Sequence, residues 1–547
     1  MIKELFRVLF AQMDGLETKY RARLARWLWP GSLAVLAFTV LYWTFMGTVV
    51  HMDNADQLAD PRLFDSAEIF RGAVFPGAHT FLLKWPVFWL IALLHHSHIA
   101  FYLAGFALTG TVVALIVWMI TKIEKRPVVR SALVLALASI LLVIPAQPYA
   151  GALLPVNMAM LATRNIEYAF FILAVWFVVP SRRWWRVVAA GALLTVLFAS
   201  DKLFVPLAVG GGGLMLLYGV LRRQKTSWQS AVRWLIVVAT SFILATSLLW
   251  LLDSTGVTTI ADSGRVSPYS TALQPKTLFK ATMFAGLGTL TNFGAQPIDD
   301  LSAKGSGIAG VAREIMHLGL ITHLVNLGLF VLACYSVWWL LFRRQGKAGS
   351  YHHILLLLTG AALAALGVFV LSAHYYLVDA RYVAMTFFAL FFALVLFVSQ
   401  HIISSRFWVI IFPVLLLGIA CGLTDVGRVT LRSLAATQPI RERNMKVAQL
   451  LQREHVTRLV GDYWRVFPIK DAAPALTITP LASCQEERTV LASSAWRTAT
   501  KPYALLLSED KGLTDFPACS FTDAVAGRGQ PTEVLQVVPT EKLLIYR

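Results

Sequence analysis

Long apolar runs alternate with short basic loops over the first 423 residues. About 20 apolar residues, rising 1.5 Å each, are needed to cross the hydrocarbon of a bilayer. Eleven runs approach this pattern: Trp27–Val50, Ile99–Ile120, Ala132–Ile144, Tyr168–Val179, Val187–Ala199, Leu203–Leu221, Trp234–Leu252, Leu318–Phe342, Ile354–Ala373, Val383–Ile403 and Phe407–Leu423. The pattern predicts a polytopic α-helical membrane protein of about eleven crossings. Another run, Phe81–Leu94, contains Lys84 and Pro86 and is about half a spanning length, so it is expected to lie in the interface.

Alternating the crossings brings the basic groups together on one side. They are Lys122, Lys125, Arg126 and Arg130, then Arg182, Arg183 and Arg186, then Arg222, Arg223 and Lys225, then Arg343, Arg344 and Lys347, and finally Arg406. Lys and Arg are retained in cytoplasmic loops, which makes this side the cytoplasm. The leading segment 1–26 ends in Lys19, Arg21, Arg23 and Arg26 and reads as an uncleaved cytoplasmic lead-in. Segments 51–98 and 253–317 then fall outside as loops, with an amphipathic stretch near Phe279–Phe293 in the second. The tail 424–547 also falls outside. It switches to soluble composition, with helical spacing at Val447, Leu450 and Leu451 and strand-like runs at Arg458–Trp464 and Lys542–Tyr546. The expected organisation is a lead-in, a transmembrane domain over 27–423 and a small C-terminal α/β periplasmic domain in a bacterial inner membrane.

Composition supports this reading and narrows the partners. The chain is 57% hydrophobic and 14% charged, too apolar for a water-solvated surface. Its formal charge of +18 sits in loops between apolar runs, which points to membrane lipids and orientation, not to nucleic acid. Of four cysteines, Cys334 and Cys421 lie in apolar runs and Cys484 and Cys519 in the tail. In an oxidising periplasm the latter two could pair, which the chain-entropy model values at about 3–4 kcal/mol. Free thiols are the alternative. His95, His96 and His98 read as a polar break and not as a metal site, since no carboxylate lies close by. Gly210–Gly213 lies within a crossing and suits close helix packing, not phosphate binding.

Candidate chemistry begins directly after the first run, in His51-Met-Asp-Asn-Ala-Asp-Gln-Leu-Ala-Asp-Pro. Asp53 sits beside the expected bilayer surface, where a low dielectric makes a carboxylate a better proton acceptor. Asp56, three residues on, would share its face in a helical turn. Asp60, followed by Pro61, reads instead as a helix cap.

An acidic residue in the first external loop, followed by a half-length interfacial run, resembles the GT-C glycosyltransferases. These polytopic enzymes move a sugar from a polyprenyl-phosphate carrier to an acceptor on the outer side of the membrane. The resemblance implies that Asp53 is the general base, supported by Asp56. It also implies that Arg381, in His374-Tyr-Tyr-Leu-Val-Asp-Ala-Arg-Tyr, holds the donor phosphate. A departing phosphate accumulates negative charge, so cations at the same face are candidates too. Lys202 in Ala199-Ser-Asp-Lys and Arg164 beside Glu167 are of this kind, each with an interfacial anchor as the plainer reading. His374, His79 and Asp201 complete the substrate-binding candidates. The expected partners are a polyprenyl-phosphate sugar and a glycan or lipid acceptor. No organic cofactor is implied, and a divalent cation stays open. A polysaccharide polymerase or ligase, and a lipid-linked glycan transporter or flippase, remain alternatives.

Overall fold

The structure is a computed structural model that describes residues 27–42, 73–76, 79–94, 98–142, 164–179, 183–261, 274–295, 319–343, 349–372, 381–401, 405–473, 475–481, 484, 492–493, 501–508 and 519–547. The chain is mostly helical, with a small sheet region towards its C-terminus. In chain order come α1 (Trp27–Tyr42) and β1 (Ala73–Pro76), then a short 3-10 turn at Leu82–Lys84 that leads into α2 (Trp85–Leu93). Next are α3 (His98–Ile123), α4 (Pro127–Leu141), α5 (Ile166–Val178), α6 (Trp184–Ser200), α7 (Phe204–Leu221) and α8 (Lys225–Ser254). Strand β2 (Thr259–Ala261) precedes α9 (Pro275–Asn292), α10 (Gly319–Trp338), α11 (Ser350–Leu371), α12 (Met385–His401) and α13 (Ser405–Arg453).

Six helices are long and apolar enough to cross a membrane: Leu103–Ile123, Phe204–Leu221, Lys225–Ser254, Gly319–Phe342, Ser350–Leu371 and Ile410–Arg428. The other runs counted in the sequence form shorter apolar helices of 10–17 residues among the described residues: α1, α4, α5, α6 and α12. Two of the short helices have starts fixed by local chemistry. Pro127 opens α4 at its first helical position, and the Asn165 side chain opens α5 by accepting the Ile166 N–H at 2.6 Å.

One end of the bundle carries the basic loops. There, guanidinium groups donate to carbonyls at helix C-termini, which have no intrahelical partners. Arg126 Nη2 donates to the Ser399 carbonyl of α12 at 2.9 Å, and Arg222 Nη2 to the Phe342 carbonyl after α10 at 3.1 Å. Glu124, buried at the same end, accepts from the Lys125 and Arg126 backbone N–H groups at 2.8 and 2.7 Å. Tyr351 at the start of α11 donates to the Lys122 carbonyl at 3.2 Å.

The opposite end is closed by segments from three distant parts of the chain. Strand β1 pairs in parallel with β2, through Val74↔Thr259 and Phe75↔Ile260, and antiparallel with the two-residue β5 (Ala492–Ser493) of the tail. The tail also holds β3 (Arg458–Asp462), a short α14 (Tyr463–Val466), β4 (Thr477–Leu481), β6 (Tyr503–Ser508), α15 (Phe521–Arg528), β7 (Glu533–Val538) and β8 (Glu541–Tyr546). Its five strands run in the order β4-β3-β6-β8-β7, with β4, β3 and β6 parallel and β8 and β7 antiparallel. Cys484 and Cys519 are joined by a disulfide, with their Cα atoms 5.4 Å apart.

The tail and the membrane-side segments share a core. Phe75, Phe81, Trp85, Phe88 and Ile91 are buried in one cluster with Val447 and Leu451 of α13, Leu459 and Phe467. The sequence places a domain boundary at 423/424, yet the chain continues there as one 49-residue helix, Ser405–Arg453, despite Pro413 and Pro439 within it. Arg443 on this helix clamps the tail sheet, donating to Glu541 through Nε at 2.7 Å and Nη2 at 3.0 Å.

Within the loop 253–317, α9 packs on the bundle, where Ala285 is buried with Phe369 and Val383. Just beyond its C-terminal end, the Gly294 carbonyl accepts from Asn326 Nδ2 at 3.2 Å, and Asn326 Oδ1 accepts from Ser139 at 2.8 Å.

Candidate functional site

The short connections at the sheet-bearing end converge on a buried group of charges. The segment leading into α2 is tied backbone-first to the end of α6. His79 and Asp201 form an isolated antiparallel bridge, the Thr80 N–H donates to the Ser200 carbonyl at 2.8 Å, and Thr80 Oγ1 donates to the Ala199 carbonyl at 2.6 Å. Trp85 Nε1 donates to the Thr80 carbonyl at 2.8 Å, closing the turn on itself. Phe81 takes φ of 55°, a left-handed conformation that strains a bulky residue, and stacks on the His79 ring at a centroid distance of 3.6 Å.

This turn delivers Lys84 into the protein interior, where Nζ lies 3.2 Å from Glu167 Oε1 and both side chains are fully buried. Glu167 stands in the first turn of α5, where it also accepts the Asn165 N–H at 2.9 Å. Two residues before the helix, Arg164 grips Asp201 with two donors, Nε to Oδ2 and Nη2 to Oδ1, the latter at 3.2 Å. Asp201 Oδ1 also accepts the Leu203 N–H at 2.9 Å. His79 Nε2 lies between the two carboxylates, 3.9 Å from Glu167 and 3.8 Å from Asp201.

Burial pushes the His79 pKa below its ordinary value, against the pull of Asp201 and Glu167. Burial also works against the Arg164 charge, but Asp201 outweighs it and the guanidinium stays above its usual range. The cluster therefore contains two ion pairs, Lys84–Glu167 and Arg164–Asp201, with the His79 imidazole between their carboxylates.

Arg381 and Tyr382 approach from the turn before α12. The Tyr168 hydroxyl donates to the Arg381 carbonyl at 3.2 Å, and the Tyr382 ring lies 4.9 Å from the Arg164 guanidinium carbon and 5.3 Å from that of Arg381. Cations at this distance from a ring are attracted by its quadrupole.

The candidates read from the sequence thus separate. His79, Arg164 and Asp201 meet directly, and Arg381 joins them through Tyr382. Lys202 follows Asp201 but is exposed. Asp53, Asp56 and His374 lie outside the described residues. Asp201 is paired with Arg164, a partner from another loop that the adjacent Lys202 obscures in the sequence. Lys84 stands out in the sequence only as a break in an apolar run, and Glu167 only as a neighbour of Arg164. The signal that marks Lys84 is a charged residue inside a hydrophobic stretch, which is costly and implies a nearby counterion. Among the described residues, no group of three His, Cys, Asp or Glu side chains is arranged to hold a metal ion.

The chain matches no protein-family model and no curated protein sequence.

Proposed function

We propose that the chain is a membrane glycosyltransferase that takes a sugar from a polyprenyl-phosphate carrier and passes it to a glycan or lipid acceptor at the periplasmic face. In this reading the chain crosses the inner membrane eleven times, with its N-terminus in the cytoplasm and its tail outside. The observation that carries it is the convergence of four inter-helix connections, at His79–Lys84, Arg164–Glu167, Asp201–Lys202 and Arg381–Tyr382, at the end of the bundle away from the basic loops. A site for an anionic, membrane-anchored donor needs cations of fixed orientation at the membrane surface.

Asp53 takes the proton of the acceptor hydroxyl as its oxygen attacks the anomeric carbon, with Asp56 orienting it. The carbon–oxygen bond to phosphate breaks, its electron pair stays on the phosphate, and Arg381 and Lys202 stabilise that charge. Attack opposite the leaving group inverts the anomeric centre. The divalent cation left open by the sequence plays no part in this scheme.

The test is sugar transfer in membranes supplied with polyprenyl-phosphate sugars. Asp53→Asn is expected to lower the rate by about 100-fold or more at normal expression, the usual scale of a lost general base. Transfer near the wild-type rate would remove Asp53 from the mechanism. Absence of transfer by the wild-type chain from every such donor would favour a transporter or ligase.

A further inference from the structure

Arg381 differs from the two cations beside it. Lys84 faces Glu167 and Arg164 faces Asp201, whereas among the described residues Arg381 meets no carboxylate. It is held through its backbone by Tyr168 and through its guanidinium by the Tyr382 ring. That ring also serves Arg164, whose guanidinium carbon is 4.9 Å from the centroid. Two like charges on one aromatic ring repel each other unless one is neutralised. Asp201 supplies that neutralisation and fixes the Arg164 plane by accepting from Nε and Nη2. Asp201 is itself fixed by the Leu203 N–H and by the bridge to His79.

We propose that Asp201 is a positioning residue for Arg381, acting through Arg164 and Tyr382, and not a ligand of substrate. The inference rests on reading Arg381 as the phosphate-binding cation of the proposed transfer. The Asp201 carboxylate is committed to protein donors, so it presents no bare negative charge to a phosphate. Without that charge, Arg164 becomes an uncompensated cation on the shared ring, and the Arg381 guanidinium is no longer set apart as the charge that can meet a phosphate.

The test measures binding of farnesyl phosphate, a short lipid phosphate lacking sugar, to the full-length chain in detergent micelles, with farnesol as the uncharged control. Arg381→Ala is expected to remove most of the preference for farnesyl phosphate over farnesol, leaving the share that Lys202 contributes. Asp201→Asn is expected to weaken farnesyl phosphate binding about tenfold, between the exposed and desolvated scales of a cation–aromatic attraction. Asp201→Glu should recover most of this affinity, and farnesol binding should not change in any variant. Tyr382→Leu should match Asp201→Asn, while Tyr382→Phe, which keeps the ring, should bind like the wild type.

Wild-type affinity in Asp201→Asn, with most of the preference lost in Arg381→Ala, would overturn the positioning role and leave the phosphate reading intact. If Asp201→Asn fails to fold, wild-type affinity in Tyr382→Leu overturns it equally. Equal binding by wild type and Arg381→Ala, or none by either, would remove the phosphate reading and this inference with it.

Discussion

Lys84 and Glu167 show what a single buried charge costs. Each is fully buried, and each is tolerable because the other lies 3.2 Å away. Glu167→Gln leaves the ammonium uncompensated and is expected to lower unfolding stability in detergent by about 3–5 kcal/mol. The double replacement Lys84→Met with Glu167→Leu removes both charges and should recover most of that stability. A double variant as unstable as the single would show that the pair does not compensate itself. The existence of Lys84 was legible in the sequence, within an otherwise apolar Phe81–Leu94 run. Its partner was not, because nothing in the spacing of one chain says which of several distant loops supplies a counterion. The same limit applies to Asp201, whose neighbour Lys202 is exposed while its partner Arg164 arrives from the loop before α5.

Helix packing was more legible than charge pairing. The Gly210–Gly213 run reads as a place for close approach, and α7 meets α11 there. A Cβ on Gly210 would come within 2.8 Å of the Gly360 carbonyl oxygen, and one on Gly360 within 2.8 Å of Gly211 Cα. Backbone atoms cannot yield as a side-chain tip can, so Gly360→Leu is expected to force the helices apart and cost about 1–3 kcal/mol, the usual scale of overpacking. A Cβ at Gly367, on the exposed face of the same helix, meets nothing within 4 Å, so Gly367→Leu should be close to neutral. Equal thermal stability of the two variants would contradict a tight α7–α11 contact. The periodicity that revealed the apolar runs could not identify Gly360 as the partner, since it describes each helix separately. Three of the runs, Ala132–Ile144, Tyr168–Val179 and Val187–Ala199, are already short in the sequence, and their helices are 15, 13 and 17 residues long.

For the whole molecule, alternation of the crossings predicts that segments 51–98, 253–317 and the tail share a side, and β1, β2 and β5 from those three segments form one sheet. The basic loops gather at the other end, where Arg126 and Arg222 cap helix carbonyls. The helix Ser405–Arg453 runs across the boundary placed at 423/424. Composition changes there because the surroundings change, but the hydrogen-bonded helix does not respond to that change and runs on to Arg453. Helical spacing at Val447, Leu450 and Leu451 was visible, and its continuity with the last apolar run was hidden by the polar residues between.

That continuity makes α13 a shaft. A flexible hinge would let the tail settle wherever its packing is best, whereas a shaft ties its angular setting to residue count. One residue inserted after Leu431 would turn everything beyond it by about 100° and advance it by about 1.5 Å. Seven residues would return it close to the original azimuth, displaced by about two turns. The single insertion should therefore swing Val447 and Leu451 away from Phe75 and Phe88, read as new protease sensitivity in the tail. Unchanged resistance would mean that the shaft has some torsional play. With little play, neither the phase nor the length of this helix can change without parting Val447 and Leu451 from Phe75 and Phe88.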